Sequence, residues 1–133
     1  MSTNAMLSKA TEAMQNAYAP YSQFTVGVCL KSSDGRLFNG CNVENCAYPV
    51  GSCAETSAIG SMITAGQREI VEVLIVADSH ELIAPCGACR QRLYEFALPD
   101  TLVHLHNTTG KHEIVKLAEL CPRPFSPQHL ENP

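Results

Sequence analysis

Four residues with chemically capable side chains fall in two short clusters. Cys53 and Glu55 open GSCAETSAIGSM, Gly51 to Met62, and Cys86 and Cys89 sit in PCGACR, Pro85 to Arg90. A buried core favours neither an ionised carboxylate nor a thiolate without a partner, so both at the head of an amphipathic run ask for a chemical reason. Cys86 and Cys89 stand i, i+3 at the start of a predicted helix, so their sulfurs share one face and can grip a single ion. A C-x-x-C pair alone fits zinc, a redox couple or accident equally well. Cys53 changes that balance by adding a third soft ligand, with Glu55 beside it and not needed as a fourth. Three protein ligands plus an open position is the pattern of a catalytic zinc. Zinc lowers the pKa of a coordinated water to about 7, and a neighbouring carboxylate can take its proton and pass it on. Glu55 is placed to be that shuttle. The plainer readings are a structural zinc, which normally closes with four protein ligands where no fourth is evident, and for Glu55 a first-turn carboxylate favoured by the helix dipole.

These residues need elements to position them. Leu7 to Ala17 has apolar residues at Leu7, Ala10, Met14 and Ala17, a helical stripe stopped by Pro20. Phe24 to Leu30 and Arg36 to Val43 read as strands flanking SSDG, Ser32 to Gly35, a tight hairpin turn. Cys53 to Ala65 carries small and apolar residues at helical spacing, and Gly66 ends it with a left-handed residue. Val71 to Asp78, VEVLIVAD, is nearly all apolar, as expected of a central strand covered on both faces. Pro85 introduces a helix over Cys86 to Phe96, since proline is well tolerated in a helix's first turn. Leu102 to His106 and Glu113 to Leu117 read as two strands around TTGK, followed by a short turn and a proline-rich tail. The order αββαβαββ predicts a three-layer α/β/α sandwich around a mixed five-stranded sheet, in one domain over residues 1–133.

Composition sets bounds on function. A chain of 133 residues that is 45% hydrophobic buries a core without disulfide staples. Net charge is −4, with nine Lys and Arg and no basic run, which argues against a nucleic-acid polymer as partner. MSTNAMLSK carries no signal pattern and no stretch approaches a membrane span, so the expectation is a cytoplasmic protein with no membrane partner. Met6 is a second candidate start. Seven cysteines in such a chain point to metal or thiol chemistry before disulfides. Cys29, Cys41, Cys46 and Cys121 read as small hydrophobes or bystanders, and His104 and His106 as packing or a polar strand face.

The combined motifs resemble the small cytidine deaminases with three cysteine ligands. AYAPYSQFTVGV, Ala17 to Val28, GCNVENCAYPVGSCAE, Gly40 to Glu55, and PCGACRQ, Pro85 to Gln91, match in order and spacing, so the resemblance runs from about Tyr18 to Phe125. It implies one Zn²⁺ per subunit on Cys53, Cys86 and Cys89, and hydrolytic deamination of cytidine and 2′-deoxycytidine in pyrimidine salvage. It implies that Glu55 deprotonates the water, protonates N3 of the pyrimidine and helps ammonia leave. Asn42 and Glu44 match residues that bind the ribose hydroxyls, and Phe24 an aromatic that packs on the nucleoside. Tyr48 and Phe125 match residues contributed across subunit boundaries, which implies a homotetramer with shared active sites.

One position departs from that pattern. The family usually carries arginine directly after C-A-E, where this chain has Thr56. Three thiolates on Zn²⁺ leave one negative charge in excess, and in the family that arginine donates charge-assisted bonds to the thiolates. Helix N-termini aimed at the metal offset part of the loss, and Arg90 or Arg92 is expected to supply the rest. The expected consequence is an active enzyme with lower turnover or a shifted pH optimum. Competing readings are an aminohydrolase for another cytosine compound, such as the antibiotic blasticidin, and a non-catalytic zinc domain used for assembly. NVEN favours a ribose over the first, and Glu55 argues against the second. A polynucleotide editor fits worst, because no basic track is present.

Overall fold

A computed structural model describes residues 2–131. The elements are α1 (Ser2–Gln15), β1 (Val26–Ser32), β2 (Leu37–Cys41), a single 3₁₀ turn (Tyr48–Val50), α2 (Ala54–Thr64), β3 (Ile70–Ala77), α3 (Gly87–Phe96), β4 (Leu102–Asn107), β5 (His112–Lys116), α4 (Leu117–Leu120) and α5 (Pro127–Glu131). The strands form one mixed sheet in the order β2-β1-β3-β4-β5. Only β3 and β4 run parallel, and α3 forms the crossover between them. Period-two alternation on β3 sends Val73 and Ile75 to one face and Leu74 and Val76 to the other. On one side Leu74 and Val76 meet Met6, Ala10 and Met14 of α1. On the other Val73 and Ile75 meet Ala58 and Met62 of α2 and Leu93 of α3. The predicted three layers and five strands are therefore present.

The departures are local. The first helix begins at Ser2 and buries Met6 fully, one turn before Ala10 of the stripe. It ends at Gln15, not Ala17, because Tyr18 leaves to bridge the strand-like segment at Val43, donating from its N to Asn42 O at 3.0 Å. Phe24 lies outside β1, since Gln23 has a left-handed φ of 58° that interrupts the extended run. α3 starts one residue later than expected, at Gly87, with Cys86 as its N-cap and Pro85 just ahead of it. The short turn after β5 is a helix, α4, and the proline-rich tail carries another, α5.

The punctuation agrees with expectation. Gly35 N donates to Ser32 O at 2.9 Å to close the SSDG turn, and Gly66 takes φ +91° just past α2. Cys29 is fully buried against α1, and burial pushes its thiol up to about 11. His104 is buried and paired with Glu72 across the β3–β4 ladder, while His106 stacks on His112 at 5.4 Å. Both imidazoles serve packing.

Candidate metal centre and active site

The N-termini of α2 and α3 converge. Cys53 caps α2 and Cys86 caps α3, each with extended backbone, and neither sulfur is spent on a capping hydrogen bond. Their Sγ atoms stand 3.9 Å apart. Cys89, one turn into α3 and fully buried, completes a group whose three sulfurs all lie within 4.8 Å of one another. Zn–S bonds of about 2.3 Å at tetrahedral angles put sulfurs about 3.8 Å apart, so the cluster fits one Zn²⁺ with little movement. Among the described residues this is the one group of His, Cys, Asp or Glu side chains gathered closely enough to hold an ion. No fourth ligand joins it among the described residues, which leaves a coordination position open.

The thiols are electrostatically unequal. Burial and the negative neighbours Glu55 and Cys53 hold Cys89 well above the ordinary thiol value. Burial raises Cys53 as well, despite a bond from Cys89. At Cys86 burial also pushes upward, but hydrogen bonds from the Cys89 backbone N–H and from the Cys89 and Cys53 thiols outweigh it, and its pKa falls. The first thiolate of the metal-free cluster is therefore Cys86, at the exposed end of the trio and at a helix N-terminus.

Glu55 lies in the first turn of α2, 4% exposed. Burial raises its pKa, opposed by its own backbone N–H, by the Cys89 thiol and by the charge of Arg92. A carboxyl moved upward toward neutrality, beside an open metal position, can both accept and return a proton. The two arginines near the site do different jobs. Arg90 donates from Nε to Pro85 O and from Nη1 to Leu120 O, both at 2.8 Å, and so ties α3 to the segment before it and to the end of α4. Arg92 donates from Nη1 to Cys89 Sγ at 3.6 Å.

Beside Cys53 opens a cleft of about 510 Å³ lined by Asn42, Glu44, Tyr48, Tyr21, Ser22 and Cys53, among others. Asn42 Oδ1 accepts from Val26 N and its Nδ2 donates to Phe24 O, both at 2.9 Å. Glu44 accepts from Tyr21 N at 3.0 Å, Ser22 N at 3.1 Å and the Ser22 hydroxyl; that hydroxyl above all holds its carboxyl below the usual range. Each predicted ribose residue thus also anchors the loop that leads into β1. Three bonds on a carboxylate leave it acceptor capacity for a sugar hydroxyl.

Of the remaining predicted residues, Phe24 is half-buried behind the cleft wall and does not line it. Tyr48 is 75% exposed, its ring edge against Tyr21 at 6.1 Å. Phe125 is 56% exposed, with its backbone clamped to α3 by Gln91, which donates to Phe125 O at 2.7 Å and accepts from Phe125 N at 3.0 Å. Sequence reasoning did not single out Tyr21 and Ser22, although both lie in the Ala17 to Val28 motif. Their donors become visible only when Glu44, distant in sequence, folds against them.

Comparison with known proteins agrees with this geometry. Residues 1–105 match the family model described as the cytidine and deoxycytidylate deaminase zinc-binding region. The chain is 36% identical to the cytidine deaminase of Halalkalibacterium halodurans over 99% of its own length and all of that protein. It is 38% identical to that of Sporosarcina psychrophila, covering 98% of this chain and 96% of the relative. A crystal structure of cytidine deaminase from Burkholderia pseudomallei superposes with a TM-score of 0.89 at 41% identity, covering 94% of this chain and 100% of that one. With the three-sulfur centre, the buried Glu55 and the α/β/α frame already in place, these likenesses show that the chain belongs to the cytidine and deoxycytidylate deaminase family, with a site for one zinc ion.

Proposed function

We propose that this protein is a zinc-dependent hydrolase that converts cytidine and 2′-deoxycytidine to uridine and 2′-deoxyuridine with release of ammonia. The observation that carries the reading is a buried Glu55 beside a three-cysteine centre whose Cys53 lines a cleft with room for a nucleoside. Bound zinc supplies the acidity that makes water a nucleophile near neutral pH. Cys53, Cys86 and Cys89 hold it. Glu55 takes the proton of the attacking water, delivers it to N3 of the cytosine ring, and assists the departing amino group at C4. Its burial favours that traffic, because a carboxyl with a raised pKa accepts and returns protons at small cost.

Asn42 and Glu44 receive the ribose hydroxyls from the cleft wall, and Phe24, which does not itself line the cleft, supports that wall through its carbonyl bond to Asn42. Tyr48 and Phe125, exposed on a single chain, serve the active site of neighbouring copies in a homotetramer. The exposure of both rings and the clamped backbone of Phe125 support that role. The enzyme works in the cytoplasm in pyrimidine salvage; no helix among the described residues is long and apolar enough to cross a membrane.

The test is the loss of ultraviolet absorbance as cytidine becomes uridine, measured for the natural protein and Glu55→Gln with zinc quantified in both. The expected result is turnover by the first and a loss of about 10²-fold or more in a zinc-replete second. A zinc-loaded natural protein without turnover on either nucleoside would overturn the reading.

A further inference from the structure

Three thiolates on a divalent ion leave one negative charge in excess. That charge makes the metal a weaker acid toward water unless a cation lies nearby. Arg90 is committed to the carbonyls of Pro85 and Leu120. Arg92 stands one turn beyond Cys89 on the same helix, and its guanidinium reaches Cys89 Sγ at 3.6 Å. Its charge also bears on Glu55. Across from it, Thr56 stands one turn beyond Cys53 on α2, its hydroxyl oxygen buried and without a hydrogen-bond partner among the described residues. The two side chains share a cavity of about 360 Å³ between α2 and α3, lined by Thr56, Ile59, Gln91, Arg92, Glu95 and Phe96.

We infer that Arg92 is the positioning residue that holds the Cys89 thiolate and offsets the excess charge of the cysteine set, and that Thr56 leaves it the room to do so. The inference rests on the zinc deaminase reading. A short neutral side chain at position 56 and a cation at position 92 form one reciprocal arrangement: the charge enters from α3, not α2. Thr56 donates nothing to the thiolates, as its unpartnered hydroxyl shows. A guanidinium at both positions would send two like charges into one cavity. Arg92 acts on the reaction through Cys89, so its removal alters the metal's electronic character before it alters substrate binding.

The experiment compares Arg92→Gln, Arg92→Lys and the double variant Thr56→Arg/Arg92→Gln, each with metal content measured. Its first readout is the sulfur-to-metal charge-transfer band after cobalt(II) replaces zinc; its second is kcat and KM for cytidine. A thiolate stripped of its donor gives up electrons more readily, so Arg92→Gln shifts the band to lower energy. In the same variant kcat falls about tenfold, the equivalent of one charge-assisted bond, with KM within about twofold. Arg92→Lys recovers part of both, and Thr56→Arg in the Arg92→Gln background returns both toward the natural values. An unshifted band in metal-replete Arg92→Gln overturns the inference, as does a double variant no better than Arg92→Gln. A natural protein inactive on cytidine would sink the functional reading while leaving the cobalt band to decide the role of Arg92.

Discussion

A Cβ placed on Gly40 of β2 would stand 2.4 Å from Ala58 N and 2.8 Å from Ala54 O, so the N-terminal half of α2 rests directly on strand backbone. Ser57 strengthens the seat by donating its hydroxyl to Cys41 O at 2.9 Å. The strand therefore sets the depth of the helix that carries Cys53 at its cap and Glu55 in its first turn.

Gly40→Ala is expected to lift α2 and cost about 1–3 kcal/mol, since the clash is with backbone that cannot rotate away. Zinc content or kcat should fall further than the loss of folded protein explains. Gly60→Ala on the exposed face of the same helix is the control. Nothing lies within 4 Å of its added Cβ, and an alanine there should stabilise the helix by about 0.5–1 kcal/mol. Thermal unfolding and metal analysis of the two variants check both statements; an unaffected Gly40→Ala protein would refute the close seat.

Zinc loading should release protons. Cys53 and Cys89 titrate above the ordinary thiol value of 9.0, so both are protonated at neutral pH in the metal-free cluster and must ionise to bind. At least two protons per zinc should appear in weakly buffered solution near pH 7. Apparent affinity should then drop about 100-fold or more per unit of falling pH, read by chelator competition. Release of fewer than two protons would contradict the thiol ordering. Chelation should abolish activity, and added zinc should restore it.

Ser22 supports Glu44 with its hydroxyl and at the same time accepts from Phe24 N at 3.0 Å. Ser22→Ala removes both contacts. KM for cytidine is expected to rise about three- to tenfold, the equivalent of one hydrogen bond, with kcat changed less than twofold. The Ser22 hydroxyl is also the first cause of the low Glu44 pKa, so its loss lets that value rise. The acid-side increase in KM should therefore set in at higher pH in the variant. A KM profile superimposable on that of the natural protein would remove Ser22 from the binding loop's support.

Asp34 holds the β1–β2 turn. It accepts from the Ser32 hydroxyl, from Arg36 N at 3.1 Å and from Arg36 Nε at 2.7 Å, and these bonds, Ser32 foremost, lower its carboxyl from 3.8 to about 2. A depressed folded value adds stability that is present above the unfolded pKa and lost as pH falls through the folded one. The window runs from 3.8 down to about 2. Asp34→Asn should flatten acid unfolding across that window and leave the slope above it unchanged; an identical acid limb would count against the turn's contribution.

Much of this site was legible before folding, because its chemistry is carried by side-chain type and local position. Cys53, Cys86, Cys89 and Glu55 stand at or just inside helix starts. Helix starts are written in nearby residues: the shift to apolar spacing after Cys53, and the proline ahead of Cys86. The core alternation of Val73 to Val76 likewise needs only its own period, and so does the central placing of β3. Boundaries were less legible where a long-range pairing overrode local preference. The first helix stopped at Gln15 as Tyr18 bridged to Val43, and Gln23 adopted a left-handed turn that set Phe24 outside its strand.

Tertiary structure alone decided the relations between residues far apart in the chain. The sheet order and the seat of α2 on Gly40 brought Cys53 to 3.9 Å from Cys86, folded Ser22 under Glu44, set Thr56 of α2 and Arg92 of α3 on one cavity, and tied Arg90 to Leu120 O. Helix geometry alone puts Arg92 near Cys89, one turn back on α3, but which side chains of α2 share its cavity depends on the rotation of α3 against α2. That rotation is fixed by packing at Leu93, Ala58 and Met62, and packing is a property of the whole core.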